Sequence, residues 1–172
     1  MNTDQIEDEF LVHGNQYLTF ELAGEAYAID ILKVQEIRGF EATTRIPRTP
    51  DYLLGVINLR GSVVPVVDLR LRFNLPLPAE DSSAVIILVR IQTKGGERTL
   101  GLVVDAVSDV HAINPDDVSD TPDLASNQVK AFITGLATVA GRMLILLDIT
   151  ALVSVGVLEE TMATIPAGEQ AA

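Results

Sequence analysis

The sequence predicts an all-β chain made of two similar small domains, and three observations carry this prediction. Runs of β-branched apolar residues of strand length recur along the chain, as at residues 56–59 and 63–67. A unit of strand, tight turn, strand and helix cap occurs twice in the same order, which indicates an internal repeat. Aromatic residues make up only 5% of a chain that is 48% hydrophobic, so Val, Ile and Leu must fill the cores.

The repeated unit appears first at residues 53–73. Gly61 lies between its two strand runs and can take the positive φ that a tight hairpin turn demands. Asp68 follows the second run, where its carboxylate can accept the free N–H groups of a short helix. The unit recurs at residues 135–153 with every landmark displaced by 80 positions, so that Gly55, Gly61 and Asp68 correspond to Gly135, Gly141 and Asp148.

A second pair of segments, residues 28–37 and 101–110, matches at an offset of 73 and completes the repeat. From the repeat we predict a first β barrel at residues 14–82 and a second β barrel at residues 83–158, each with short helical turns. The boundary falls in a polar linker that runs from Pro76 to Ser83.

The two ends of the chain differ from the barrels in composition. Residues 1–13 form an acidic arm, in which we expect residues 10–12 to add an edge strand to one barrel, and residues 159–172 form a flexible tail. The arm lacks the basic start and apolar run of a secretion signal, and no apolar segment reaches the length of about 18 residues that a membrane span needs. We therefore expect a soluble, cytoplasmic protein with no direct membrane insertion.

The charge distribution argues against nucleic-acid binding. The net charge is -12: residues 1–9 carry four acids and no base, residues 10–75 carry seven of each, and residues 76–172 carry thirteen acids against five bases. Binding to phosphate backbones normally requires clustered Lys and Arg. We expect no nucleic-acid partner.

No catalytic constellation is visible in the sequence. It holds no nucleophile elbow, no Gly-rich dinucleotide loop and no P-loop. There is no Cys, and the two histidines, His13 and His111, are more typical of surface or capping positions than of a metal site. The adjacent Asp116 and Asp117 favour a capped turn over a shared proton. We therefore predict a binding module without enzymatic activity, cofactor or metal.

Two charged residues are candidates for binding. Arg60 lies in the first hairpin turn, where its repeat partner is Ala140, so the fold does not require an arginine there. Two interpretations stand at this point: a binding residue, or a solvated hairpin charge. Glu36 pairs with Asp109 in the repeat, and an acid at both places suggests a structural or surface role with function undetermined.

Four motifs in order resemble the CheW family of bacterial chemotaxis coupling proteins. They are ILKVQEIRG at residues 31–39, GVINLRGSVVPVVDLRLRF at residues 55–73, GLVVDAVSDV at residues 101–110 and GRMLILLDI at residues 141–149. The resemblance covers residues 16–155. It implies two SH3-like five-stranded β barrels, with N-terminal residues joining the second barrel, and no enzymatic activity.

The resemblance also implies partners and sites. Family members couple the cytoplasmic tips of methyl-accepting chemoreceptors to the regulatory domain of the histidine kinase CheA, in arrays at the membrane. The alternative is a CheW-like adaptor of a parallel chemosensory pathway that does not control motility. The receptor-tip helix is expected in the groove between the barrels, contacting Val34, Glu36, Arg60, Val85 and Val107.

The kinase is expected at a separate face, because an adaptor must hold both partners at once. We predict that this face lies at barrel ends and draws on Ile31 and Leu54. End-to-end contacts between two double-barrel proteins are heterologous and can close into rings. Ring assembly with the kinase is therefore expected.

Overall fold

The computed structural model describes residues 15–78, 84–93, 95–122 and 130–154. These ranges contain ten strands: β1 (Asn15–Leu22), β2 (Glu25–Asp30), β3 (Val34–Gly39), β4 (Leu53–Leu59), β5 (Ser62–Asp68), β6 (Val85–Thr93), β7 (Gly96–Val104), β8 (Ala106–Ile113), β9 (Ile133–Val139) and β10 (Arg142–Leu147). Short helices follow the fifth and tenth strands: α1 (Leu69–Arg72) and α2 (Ile149–Ser154). Two 3-10 turns lie at Ile31–Lys33 and Pro115–Asp117. The edge strand predicted at residues 10–12 and the tail at residues 159–172 lie outside the described residues.

The strands form two five-stranded sheets, each curled into an SH3-like barrel, as the resemblance implied. The first barrel has the strand order β3-β6-β7-β5-β4, and the second has the order β8-β1-β2-β10-β9. Neighbouring strands are antiparallel except at two joints, where β5 lies parallel to β7 and β2 lies parallel to β10. The two orders are the same once each strand is replaced by its repeat counterpart, so the internal repeat is a structural repeat.

Each repeat lends a hairpin to the other barrel, and this corrects the predicted division at residues 14–82 and 83–158. The β1–β2 hairpin of the first repeat pairs with β8 and β10 of the second, and the β6–β7 hairpin of the second pairs with β3 and β5 of the first. A repeat pattern cannot reveal the exchange, because both copies present equivalent strand edges. Each sheet therefore contains strands from both repeats, and the two barrels do not correspond to two continuous segments of the sequence.

The strand, turn, strand and cap unit that the sequence predicts is confirmed in both repeats. Both residues of the β4–β5 turn have positive φ, 50° at Arg60 and 88° at Gly61, which is the backbone of a type I′ hairpin turn. The carboxylate of Asp68 accepts the backbone N–H of Arg70 at 2.9 Å at the start of α1. In the second repeat, the carboxylate of Asp148 accepts the N–H of Ala151 at 3.1 Å at the start of α2.

Three apolar clusters hold the described part of the chain together. One fills the first barrel and a smaller, alanine-rich one fills the second. The largest, here called the central cluster, joins the two barrels: Leu18, Phe20, Leu22, Tyr27, Ile29, Leu53, Val67, Leu69, Ile87, Val89, Ile91, Leu100, Leu102, Val104, Phe132, Leu147, Ile149 and Leu152.

The exchanged strands are buried on both faces. Along β6, Ile86 and Leu88 point into the first barrel, whereas Ile87, Val89 and Ile91 point into the central cluster. Such strands read as continuous apolar runs rather than as alternating patterns. The two barrels therefore share an apolar cluster and are not independent domains.

Candidate protein-interaction site

Arg60 and Glu36 form an ion pair on the surface of the first barrel. Arg60 lies at the tip of the β4–β5 hairpin and Glu36 lies on β3, and their Nη2 and Oε1 atoms are 2.9 Å apart. The side chain of Arg60 is 66% exposed and that of Glu36 is 32% exposed. The side-chain carbonyl of Asn58 accepts the N–H of Gly61 at 2.9 Å and braces the turn. The structure thus brings together two of the residues that the sequence singles out.

The ion pair orients the arginine more than it stabilises the fold. Exposed pairs of this kind contribute at most about 1 kcal/mol, because water screens them and both side chains lose freedom. A guanidinium has five N–H donors in a planar fork, and one of them is used here. Because two thirds of the side chain is exposed, a partner can reach the guanidinium while Glu36 holds it in place.

The hairpin turn itself does not need the arginine. Its repeat counterpart Ala140 has a φ of 52°, nearly that of Arg60, and the following glycine matches as well. A residue without a long side chain therefore supports the same backbone. The structure agrees with the argument from the sequence that the fold does not require Arg60.

A polar cleft of about 240 Å³ opens beside Arg60. Within it, the hydroxyl of Thr99 donates to the side-chain oxygen of Gln35 at 3.0 Å. Acidic and basic side chains share the lining, which consists of Gln35, Leu59, Arg60, Ser62, Val63, Val64, Pro65, Glu97, Arg98 and Thr99. The sequence pattern did not single out Gln35 and Thr99, although Gln35 stands between Val34 and Glu36 in the motif at residues 31–39.

The three predicted valines all border the junction of the barrels. Val34, Val85 and Val107 are half-buried, and each packs against the central cluster. Val34 pairs with Val89 in the first barrel, and Val107 pairs with Phe20 in the second. Val34 and Val107 are also counterparts at the repeat offset of 73. The structure therefore places predicted groove residues on both sides of the junction.

The two residues predicted for the kinase face pack against different apolar clusters. Ile31, in the first 3-10 turn, packs against the central cluster. Leu54, on β4, packs against the interior cluster of the first barrel. Both are half-buried, so each keeps some surface, but they do not share one apolar cluster.

A separate apolar pocket of about 150 Å³ lies against the second barrel, lined by Tyr27, Phe73, Leu75, Ile133, Ile145 and Leu147. Burial raises the pKa of the Tyr27 hydroxyl, and the nearby carboxylate of Glu25 raises it further. The raised pKa keeps the phenol neutral to a higher pH than is usual for tyrosine. The ring of Tyr27 stacks between those of Phe20 and Phe73, which marks it as a packing residue.

Among the residues that the structure describes, no group of three or more His, Asp or Glu side chains is arranged to hold a metal ion. No described helix is long and apolar enough to cross a membrane.

Comparison with known proteins gives a consistent result. A family model described as CheW-like domain matches residues 16–156. The chain is 44% identical over 141 residues to Chemotaxis protein CheW of Klebsiella aerogenes, covering 82% of this chain and 82% of that protein. It is 36% identical over 136 residues to Chemotaxis protein CheW of Rhizobium meliloti, covering 79% of this chain and 85% of that protein.

A solved structure is similar as well. The scaffolding protein TtCheW from Thermoanaerobacter tengcongensis superimposes with a TM-score of 0.73 at 33% sequence identity. The match covers 83% of this chain and 94% of that chain.

Proposed function

This chain belongs to the CheW-like domain family, and on that premise we propose that it couples methyl-accepting chemoreceptors to the histidine kinase CheA. The family role is that of a non-enzymatic scaffolding adaptor in chemotaxis. The two partners bind at separate faces in this proposal, and the protein is recruited from the cytoplasm to membrane-associated receptor arrays.

The receptor contact is proposed at the junction of the barrels and the adjoining hairpin. Val34, Val85 and Val107 offer half-buried methyl groups that can take an apolar stripe of a helix. Arg60 offers oriented N–H donors for carbonyl or carboxylate oxygens of the same helix. An apolar anchor beside a charged clamp is the composition that interface hot spots favour.

The observation that carries the proposal is the Arg60–Glu36 pair. A surface arginine that contributes little to stability, is absent from the equivalent turn and is nevertheless held by a carboxylate at 2.9 Å is prepared for an external partner. Glu36 supports the contact by holding the guanidinium before the partner arrives, which lowers the entropy lost on binding.

The kinase contact is proposed at a face that the receptor leaves free. Ile31 and Leu54 each combine a buried part, which fixes the side chain, with an exposed part that a partner can cover. Binding of the kinase regulatory domain at barrel ends would allow ring assembly, because one end of each protein meets the other end of its neighbour.

Charge reversal at Arg60 tests the proposal. Arg60→Glu removes the donors and places an acid beside Glu36, which should cost on the order of 2 kcal/mol at a desolvated contact, or roughly thirtyfold in affinity. Calorimetric titrations against an isolated receptor tip and an isolated kinase regulatory domain would measure both affinities. The expected result is weakened receptor binding with kinase binding preserved.

Ala140→Glu is the matched control, because it adds an acid at the equivalent exposed turn of the second barrel. It should leave receptor affinity near that of the unmodified protein. Equal loss of both partners in Arg60→Glu, or equal receptor loss in the two variants, would show that Arg60 does not make the proposed contact.

A further inference from the structure

An arginine is buried where the first barrel meets the second. Arg70, in α1, is 2% exposed, yet it carries a permanent charge. Its Nε and Nη2 atoms donate to the two carboxylate oxygens of Asp68 at 2.9 and 2.8 Å. Its Nη1 atom donates to Asp105 at 3.0 Å. The guanidinium therefore bridges two carboxylates from distant parts of the chain.

Asp105 carries this link into the second barrel. The residue lies between β7 of the first barrel and β8 of the second, and its side chain is 18% exposed. Its Oδ2 atom accepts the backbone N–H of Ala23 at 2.8 Å, in the β1–β2 turn. Its own N–H donates to the carbonyl of Glu21 at 3.0 Å. A continuous chain of hydrogen bonds thus runs from α1 to an exchanged hairpin of the second barrel.

The repeat shows that the fold does not demand this network. The counterparts of Arg70 and Asp105 are Thr150 and Leu32, neither of which carries charge. Asp148, the counterpart of Asp68, acts as a helix cap in the same way. The network is therefore an addition at one of two equivalent places, and replacing a complete buried ion network by neutral residues is often neutral for stability.

The network lies close to the proposed receptor groove. Val107 follows Asp105 by two residues and pairs with Phe20, next to the Glu21 carbonyl that Asp105 engages. Val34 and Val85 stand on the first barrel, and Val107 stands on the second. Asp105 is the one residue between β7 and β8. The direction of the chain at Asp105 therefore sets the distance from Val107 to the two valines of the first barrel. Apolar packing is non-directional, whereas the charge-assisted hydrogen bond from Nη1 of Arg70 to Asp105 has a defined length and direction.

We propose that Arg70 and Asp105 are positioning residues that fix the start of β8 against the first barrel and so set the width of the groove. The effect on receptor binding rests on the proposed receptor contact, whereas the fixing of β8 against the first barrel does not. Breaking the link should widen the spread of distances between the first barrel and β8. It should also weaken receptor binding, while the Arg60–Glu36 ion pair stays in place.

The test uses pairs of spin labels, for which the absence of Cys in the chain is convenient. Gln92→Cys on β6 and Val110→Cys on β8 place labels at exposed sites on the two barrels. The distance between the labels is measured by pulsed electron resonance in the otherwise unmodified protein, in Asp105→Ala and in Asp105→Asn. The matched control is Asp109→Ala, which removes an exposed carboxylate from the same strand.

The expected result is one narrow distance in the otherwise unmodified protein and in Asp109→Ala, and a broadened or displaced distribution in Asp105→Ala. Asp105→Asn keeps an acceptor oxygen and should be intermediate, and it supplies the comparison if Asp105→Ala folds poorly. Unlabelled Asp105→Ala should bind an isolated receptor tip about tenfold more weakly. A narrow, undisplaced distribution in both Asp105 variants would overturn the inference.

The two proposals fail in different ways. A broadened distribution with full receptor affinity would overturn the role in setting the groove. Loss of distance order in Asp105→Ala, combined with full receptor binding by Arg60→Glu, would reject the proposed receptor contact while supporting the structural link.

Discussion

The β4–β5 and β9–β10 turns are two copies of one backbone with different chemistry. Arg60 and Gly61 have φ values of 50° and 88°, and Ala140 and Gly141 have values of 52° and 77°. One tip carries a guanidinium paired with Glu36, and the other carries an exposed methyl group. The two turns share their backbone and differ in the side chain at the tip. Since the backbone does not require the arginine, Arg60 is available to bind a partner.

The helix caps that follow these hairpins are also equivalent in backbone and different in side-chain contacts. Asp68 and Asp148 both accept N–H groups at the start of a short helix. Among the residues that the structure describes, only the capping carboxylate of the first repeat also holds a buried arginine, and that arginine bonds to Asp105 as well. The two repeats therefore share the cap and differ in what is attached to it.

The largest expected effect comes from removing the buried arginine. Arg70→Met leaves the carboxylates of Asp68 and Asp105 without their cation and should destabilise the protein by about 3–5 kcal/mol. Thr150→Val, at the equivalent position, should cost about 1 kcal/mol or less. Urea unfolding of both variants would measure the difference. Similar losses in the two would contradict the distinction between the repeats.

A neutral version of the network sharpens this prediction. Arg70→Met combined with Asp68→Asn and Asp105→Asn removes all three charges together, and the amide at position 68 retains an acceptor for the cap. This variant should recover most of the stability that Arg70→Met loses. Failure to recover any stability would mean that the lost contacts are not electrostatic.

The next largest effect is expected at two equivalent glycines. Gly55 has a φ of 141°, and a Cβ there would collide with the backbone carbonyl of Thr44. At Gly135 the nearest obstacle is a methyl group of Val118, followed by the carbonyl of Ser119 at 2.8 Å. Gly55→Ala should therefore cost about 3 kcal/mol and Gly135→Ala less, since a side chain yields more easily than a backbone.

Thermal and urea unfolding of the two alanine variants would compare them. Adding Val118→Ala to Gly135→Ala should recover part of its loss, because the colliding methyl group is removed. A greater loss of stability for Gly135→Ala than for Gly55→Ala would contradict the expectation that a side-chain obstacle yields more easily than a backbone one.

The smallest effect is expected at the hairpin tips. A non-glycine residue with positive φ is strained by about 1–2 kcal/mol, and glycine recovers this at a cost of about 0.5–1 kcal/mol in unfolded-chain entropy. Ala140→Gly should raise the free energy of unfolding by about 0.5 kcal/mol, and Arg60→Gly should raise it by less because the ion pair is lost. Differential scanning calorimetry would compare the melting temperatures of both variants with that of the unmodified protein. A lower melting temperature for Ala140→Gly would contradict the equivalence of the turns.

The repeat made much of the fold predictable. The constant offset of 80 residues located both hairpin turns and both caps, and the comparison of Arg60 with Ala140 separated backbone demand from side-chain choice. Five-stranded SH3-like barrels followed from the resemblance to the CheW family. Because these features depend on local pattern and on matching segments, they can be read along the chain.

Long-range pairing was not predictable. The hairpin exchange depends on which of two equivalent strand edges each hairpin meets, and both repeats present the same pattern. The bond between Arg70 and Asp105 joins residues 35 positions apart, and Asp68 alone already explained the helix start. The Arg60–Glu36 pair likewise depends on β3 and the hairpin tip meeting in three dimensions.

The most direct test of the central claim is to exchange the two tip residues. The variant Arg60→Ala with Ala140→Arg keeps the composition and the net charge of -12, and each turn receives a residue that the other already accommodates. Its affinity for an isolated receptor tip is measured by calorimetric titration, alongside its melting temperature. The account predicts an unchanged melting temperature within a few degrees and receptor binding weakened about tenfold. Full receptor affinity in the exchanged protein would contradict it.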